Sequence, residues 1–177
     1  MAVNEVMLGG GLATGMFYHA PEGTALPTDP SSTPSSAWTK VGDVTEDGIT
    51  WGAARNFTPL KNWAGKIKRQ LPGTDPQTVK VGIMDTTEEV FKTIFGANKV
   101  TNSGGVLTID TSNLDAPGAE AFLFVMKDGD RLSMIGTESG FISGLDDVTF
   151  KSNENVTWTA TISTDAWTIL TDEADES

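Results

Sequence analysis

Chemistry in this chain would have to come from carboxylates, because the other reactive side chains are almost missing. There are 24 Asp and Glu, a single His and no Cys. Without Cys there is no thiolate nucleophile, no disulfide and no thiolate zinc site. A zinc ion would need three carboxylates beside His19, and a serine triad would depend on that same imidazole. His19, within Tyr18-His19-Ala20-Pro21, therefore reads as structural. The run Gly9-Gly10-Gly11-Leu12-Ala13-Thr14-Gly15 has the glycines of a phosphate cradle but lacks the Gly-Lys-Ser/Thr ending. Asp43, Glu46 and Asp47, like Asp128 and Asp130, do not follow EF-hand spacing and read as turn residues. Nothing in the pattern selects two carboxylates as a glycosidase pair. The expectation is a protein with no catalytic centre, no metal and no cofactor.

Charge and aromatic placement carry a sharper signal. Residues 48–74 hold Arg55, Lys61, Lys66, Lys68 and Arg69 and no acid, a charge of +5. The whole chain is at −12, so the remainder carries −17. A basic projection on an acidic body is self-complementary, and its natural partner is the acidic surface of another copy. An acidic protein is also poorly suited to gripping nucleic acid, since that affinity comes from cations on phosphates. Trp63 lies amid the basic stretch and is expected to anchor an interface. Trp51 and Trp158 fall on alternating apolar positions and are expected in the core.

The elements that would hold these groups are mostly strands. The arm, residues 1–15, is glycine-rich and expected to be flexible, with Gly9, Gly10, Gly11 and Gly15 as its hinges. A Pro-, Ser- and Thr-rich loop follows over 21–36, after the short apolar patch Met16-Phe17-Tyr18. Ile49, Trp51 and Ala53 alternate with polar or small residues, as do Val79, Val81 and Ile83, which predicts half-buried strands. Glu46-Asp47-Gly48 predicts a tight turn. Residues 57–75, with Pro59, Pro72, Gly65 and Gly73, predict a long basic loop or extended hairpin, of a length that usually serves a function. One helix is signalled: Thr86 with Glu89 forms a capping-box pattern, and Gly96 closes the far end. Val90, Phe91, Ile94 and Phe95 share one face of it, so it packs on a sheet. The remainder predicts antiparallel strands. Val106–Ile109 follows a Gly104-Gly105 turn, and Asp128-Gly129 joins Phe122–Met126 to Leu132–Ile135. Val148–Phe150 is expected to pair with Val156–Ile162, whose Thr157, Thr159, Thr161 and Ser163 form a hydroxyl row. The acidic end, 171–177, is expected to fray.

No Lys or Arg occurs before Lys40, so a positively charged secretory n-region is missing. The longest apolar run, Ala121–Met126, is far short of the roughly 20 residues of a membrane span. The expectation is one soluble domain over 1–177, made in a cytoplasm, with no membrane partner.

The sequence resembles the major tail proteins, or tail-tube proteins, of long-tailed siphophages, especially those of actinobacterial hosts. The resemblance is carried by Ala13-Thr14-Gly15, Phe17-Tyr18-His19-Ala20-Pro21, Gly23-Thr24-Ala25-Leu26-Pro27 and Trp38. It continues through Val41-Gly42-Asp43-Val44-Thr45-Glu46-Asp47-Gly48-Ile49-Thr50 and Trp63-Ala64-Gly65. Its most specific stretch is Glu89-Val90-Phe91-Lys92-Thr93-Ile94-Phe95-Gly96-Ala97-Asn98-Lys99-Val100. The resemblance implies a mainly β fold: two packed antiparallel sheets, sandwich- or barrel-like, with one flanking helix. It implies hexameric rings stacked into a non-contractile virion tail tube around a tape-measure protein, with terminator and tail-tip proteins as further partners. DNA would pass as non-adhering cargo through an acidic lumen during ejection. The long loop and the N-terminal arm would lock neighbouring subunits and rings. A β-sandwich module binding carbohydrate or protein, through Trp63 or Trp38, is the alternative reading.

Overall fold

Alternating apolar and polar side chains build strands along most of this chain. The computed structural model describes residues 10–11, 17–54, 56–73, 75–112, 114–115, 117–128 and 130–172. The described strands are β1 (Gly10–Gly11), β2 (Phe17–Pro21), β3 (Thr39–Gly42), β4 (Val44–Gly52), β5 (Phe57–Lys61), β6 (Ile67–Pro72) and β7 (Gln77–Ile83). After helix α1 (Glu88–Phe95) come β8 (Val100–Ser103), β9 (Val106–Ile109), β10 (Glu120–Asp128), β11 (Arg131–Leu145), β12 (Trp158–Thr164) and β13 (Thr168–Thr171). The fold is mainly antiparallel β with one α-helix, as the alternation and the helix signal predict.

The main sheet runs β3-β2-β10-β11-β12-β7-β4, with β1 added on β10 and β13 on β11. β11 serves two layers: Ser133–Gly136 pair with β10 and β13, while Phe141–Leu145 pair with β12. The two ends of the path, β3 and β4, are consecutive in sequence with only Asp43 between them. A sandwich with barrel-like closure results.

Its core joins both layers and the helix. Phe17, Phe122, Phe124 and Ile135 come from one layer, Val79, Val81, Ile83, Ala160 and Ile162 from the other, all buried. Phe17 stacks on Phe124 with ring centroids 4.5 Å apart. A second cluster covers the outer face of the first layer, where Leu26 and Trp38 close over Ala121, Leu123, Val125 and Met134. The Pro/Ser/Thr-rich loop thus acts as a lid on the sheet. Gly136 makes room for it: a Cβ there would meet Leu26 Cδ2 at 2.6 Å and the Phe122 carbonyl oxygen at 3.1 Å.

The helix buries Val90, Phe91, Ile94 and Phe95, as its spacing predicts. Phe91 and Phe95 meet the Trp158 indole edge-on, at 5.0 and 6.1 Å between centroids. Its cap lies one residue later than the Thr86–Glu89 pattern implies: Thr87 Oγ1 accepts from the Val90 N–H at 3.3 Å. Gly96, at φ +91°, ends it.

Several expectations are corrected. Glu46-Asp47-Gly48 is not a turn between strands but lies within β4. There the register against β7 shifts between Val44 and Ile49, and Gly48 takes φ +68°. Asp-Gly supplies positive φ equally to a bulge and to a turn. Val148–Phe150 forms no strand, and β12 pairs instead with β11 and β7. The hydroxyl row of β12 is only partly open. Ser163 is buried against Ser143, and the following Thr164 bonds Thr137 and the Ser139 carbonyl. Gly10 and Gly11 are not part of a free arm but pair with Lys127 and Met126 as β1. Gly9, Gly15 and the rest of 1–9 and 12–16 lie outside the described residues. At the other end Thr171 belongs to β13, and Asp172 accepts from the Leu132 N–H at 2.9 Å. Residues 173–177 of the expected acidic tail lie outside the described residues.

Candidate assembly interface

The basic stretch folds as a hairpin of its own. β5 and β6 pair as a separate two-stranded sheet, Phe57 opposite Pro72, Thr58 opposite Leu71, Pro59 opposite Gln70 and Leu60 opposite Arg69. A bulge then brings Lys61 opposite Ile67. The long basic loop expected over 57–75 is thus the extended hairpin that the same residues allowed. Its prolines lie where their missing N–H costs little, on a two-stranded ribbon with two free edges.

Turn chemistry fixes the tip. The Asn62 N–H donates to the Lys66 carbonyl at 2.9 Å, and Gly65 N–H donates to the Asn62 carbonyl at 2.9 Å. Asn62 Oδ1 accepts from Lys66 N–H at 2.9 Å, while Gly65 takes φ +75°. The root is tied as well. The Gly73 N–H donates to the Asn56 carbonyl at 2.7 Å, and Asn56 Nδ2 donates to Asp75 Oδ2 at 2.6 Å. A hairpin held at both ends is a firm projection rather than a loose loop.

What it presents is unusual for a lone chain. Trp63, at the tip, is 107% exposed. Phe57, Leu60 and Ile67 are all about half exposed or more. Strand alternation puts Phe57 and Leu60 on opposite faces of the ribbon. Exposed apolar groups of this density mark an interaction surface. Lys61, Lys66, Lys68 and Arg69 are all exposed on the same ribbon, and among the described residues none has a carboxylate partner. Of the six expected interface residues, the fold therefore brings Lys61, Trp63, Lys66, Lys68 and Arg69 onto one projection. Arg55 lies outside the described residues.

Sequence reasoning missed the apolar half of this surface. Phe57, Leu60 and Ile67 looked like irregular loop residues because Pro59, Pro72 and the bulge break their spacing. The signal was available in the Asn62-Trp63-Ala64-Gly65 turn, flanked by two runs without a buried face. Trp51, expected in the core, is 45% exposed. β4 is the last strand of the sheet path, so Trp51 has only one neighbouring strand to lean on. Trp158 is half-buried and packed against the core, while Trp38 is buried against the sheet and has no free ring face for a sugar.

His19 is the other polar site of note. Its Nε2 lies 2.8 Å from Glu89 Oε1 on the helix, and its Nδ1 lies 2.9 Å from Glu120 Oε2 on β10. A neutral imidazole has one N–H, so two ionised carboxylates at both nitrogens favour the imidazolium. Burial pulls the His19 pKa down, but the hydrogen bonds and charges of Glu120 and Glu89 outweigh it, and the net direction is up. The site is a structural clamp between β2, β10 and α1. Among the described residues no group of three or more His, Cys, Asp or Glu is placed to hold a metal ion, and no helix is long and apolar enough to cross a membrane.

A search of curated proteins finds no match. Among solved structures, the tube-terminating cap of the anti-feeding prophage is similar at 12% identity and TM-score 0.47, over 97% of this chain and all of that one. The sheath/tube terminator of an extracellular contractile injection system in its extended state matches at 11% identity and TM-score 0.47, over 93% of this chain and 99% of that one. The sheath–tube complex of such a system matches at 11% identity and TM-score 0.46, over 90% of each chain. The profile of the family described as phage tail tube protein matches residues 4–166, nearly the whole chain. With that span, this chain belongs to the phage tail tube protein family.

Proposed function

We propose that this chain is the structural subunit of a phage tail tube. In this reading it assembles with copies of itself into hexameric rings that stack around a tape-measure protein in the virion. It has no enzymatic role. The observation that carries the reading is the hairpin Phe57–Pro72, which holds its apolar and basic side chains away from the body that would otherwise cover them.

Magnitudes separate the roles on that hairpin. Burying Phe57, Leu60, Trp63 and Ile67 in a neighbour would contribute about 1.5–3 kcal/mol each. Association costs about 4–15 kcal/mol in lost freedom, so one such contact is marginal by itself. Repetition around a ring and along a tube makes it sufficient, because each added contact is then intramolecular. Exposed ion pairs contribute only about 0–1 kcal/mol each. The lysines and Arg69 therefore steer and set register against the acidic body, and the apolar groups supply the affinity.

The body's charge of −17 outside residues 48–74 supports a lumen that DNA traverses without adhering. Tail terminator and tail-tip proteins would close the two ends. The arm before Phe17, of which Gly10 and Gly11 pair with β10, would add a second lock between subunits. The test is electron microscopy with sedimentation of the purified chain across concentration, alone and with tape-measure protein. Rings or tubes are expected. A chain that stays monomeric under every condition would overturn the proposal.

A further inference from the structure

The groove at the root of the hairpin has no role in the proposal above. It is an open cleft of about 930 Å³, walled by Trp51, Asp75, Gln77, Asp165, Trp167 and Ile169. Its walls are tied together: Trp51 Nε1 donates to Gln77 Oε1 at 3.3 Å, and Gln77 Nε2 donates to the Asp165 carbonyl at 3.4 Å. Two carboxylates line it, and no Lys or Arg is among its described lining residues. The Trp167 indole N–H is buried with no hydrogen-bond partner among the described residues, an arrangement that ordinarily costs about 1–3 kcal/mol.

We infer that this groove receives the tip of the same hairpin from a second copy of the chain. The inference rests on the reading of the chain as a self-assembling tube subunit. The tip offers what the groove lacks: the fully exposed Trp63 indole, and Lys66 and Lys68 with no described carboxylate partner. The groove offers the aromatic wall of Trp51, the apolar Ile169 and the carboxylates of Asp75 and Asp165. An ammonium beside Trp51 gains a cation–π contact in addition to its ion pair. A chain's own tip cannot fill its own groove. The paired strands, at about 3.3 Å per residue, hold the tip roughly 15–20 Å from the root. The contact joins two different patches, tip and root, and within a ring or tube it repeats head to tail from copy to copy. The same contact would cover Trp51, which the edge position of β4 leaves exposed.

The absence of Cys makes the test clean. A chain carrying both Ala64→Cys at the tip and Asp165→Cys in the groove is assembled, oxidised and run on a non-reducing gel. A ladder of covalent multimers is expected. Tubes that form but run only as monomer would overturn the groove assignment while leaving the tube reading intact. Failure of the unmodified chain to assemble would overturn both. A charge swap provides an independent arm. Asp165→Lys should lower the tube pelleted at fixed concentration by about tenfold or more, since like charges at a contact repel. Adding Lys66→Asp and Lys68→Asp in the same chain should restore it. Undiminished assembly of Asp165→Lys, or no rescue by the added changes, would overturn the inference.

Discussion

His19 grips two carboxylates at once, and that sets the sign of its pH dependence. Its folded pKa lies above the ordinary 6.5, so its contribution is fully present below that value and is lost as pH rises through the raised folded pKa. The melting-temperature difference between the native chain and His19→Gln should therefore be larger at pH 6 than at pH 9. A difference independent of pH would show that the imidazole is not the charged member of the Glu89–Glu120 clamp. Trp63 has a different task. With 107% exposure it supports nothing in its own chain, so Trp63→Ala should leave the unfolding free energy within about 0.5 kcal/mol of native. It should impair assembly more than neutralising any single lysine of the hairpin, because apolar burial outweighs an exposed ion pair. Assembly that tolerates Trp63→Ala but not Lys66→Ala would reverse that ranking.

At the scale of elements, helix α1 shows how local signals and packing divide the work. Its buried face was legible at once, because Val90, Phe91, Ile94 and Phe95 recur at helical spacing. Its start lies one residue later than the Thr86–Glu89 capping box implies: Thr87, with Val90 three residues on, has the extended backbone and takes the cap. Thr87→Ala should cost about 1 kcal/mol in denaturant unfolding and Thr86→Ala nearly nothing. Equal costs would contradict the cap assignment. Phe91→Ala, beneath Trp158, should cost about 3–5 kcal/mol. Strands with one buried face, such as β7, were equally legible, because period-two alternation survives any tertiary arrangement. Elements that depend on partners distant in sequence were not. Gly48 signals positive φ without saying whether a turn or a bulge uses it. Phe150 lies next to plausible strand residues, yet β12 finds better partners in β7 and β11. The basic cluster of the candidate site was visible as charge. Its apolar half was hidden by prolines, and its acidic groove by the 89 residues between Asp75 and Asp165.

For the whole molecule, the separation of charge from core is what points to assembly. The sandwich buries its own apolar faces twice over, within the core and beneath the loop that carries Leu26 and Trp38. The hairpin is left with apolar and basic groups facing outward. Lys66→Glu with Lys68→Glu should therefore leave circular dichroism and melting unchanged and impair tube formation. Normal tubes from that double variant would remove the electrostatic part of the account. Raising salt should slow assembly without abolishing it, as the screening length falls from about 8 Å at physiological ionic strength to about 3 Å at 1 M. The central claim is that Phe57–Pro72 is the element by which one subunit grips the next. A cryo-EM reconstruction of the assembled tube tests it most directly. It should show each hairpin packed against a neighbouring subunit with Trp63 buried there. Hairpins free in solvent, with subunits held together through other surfaces, would contradict it.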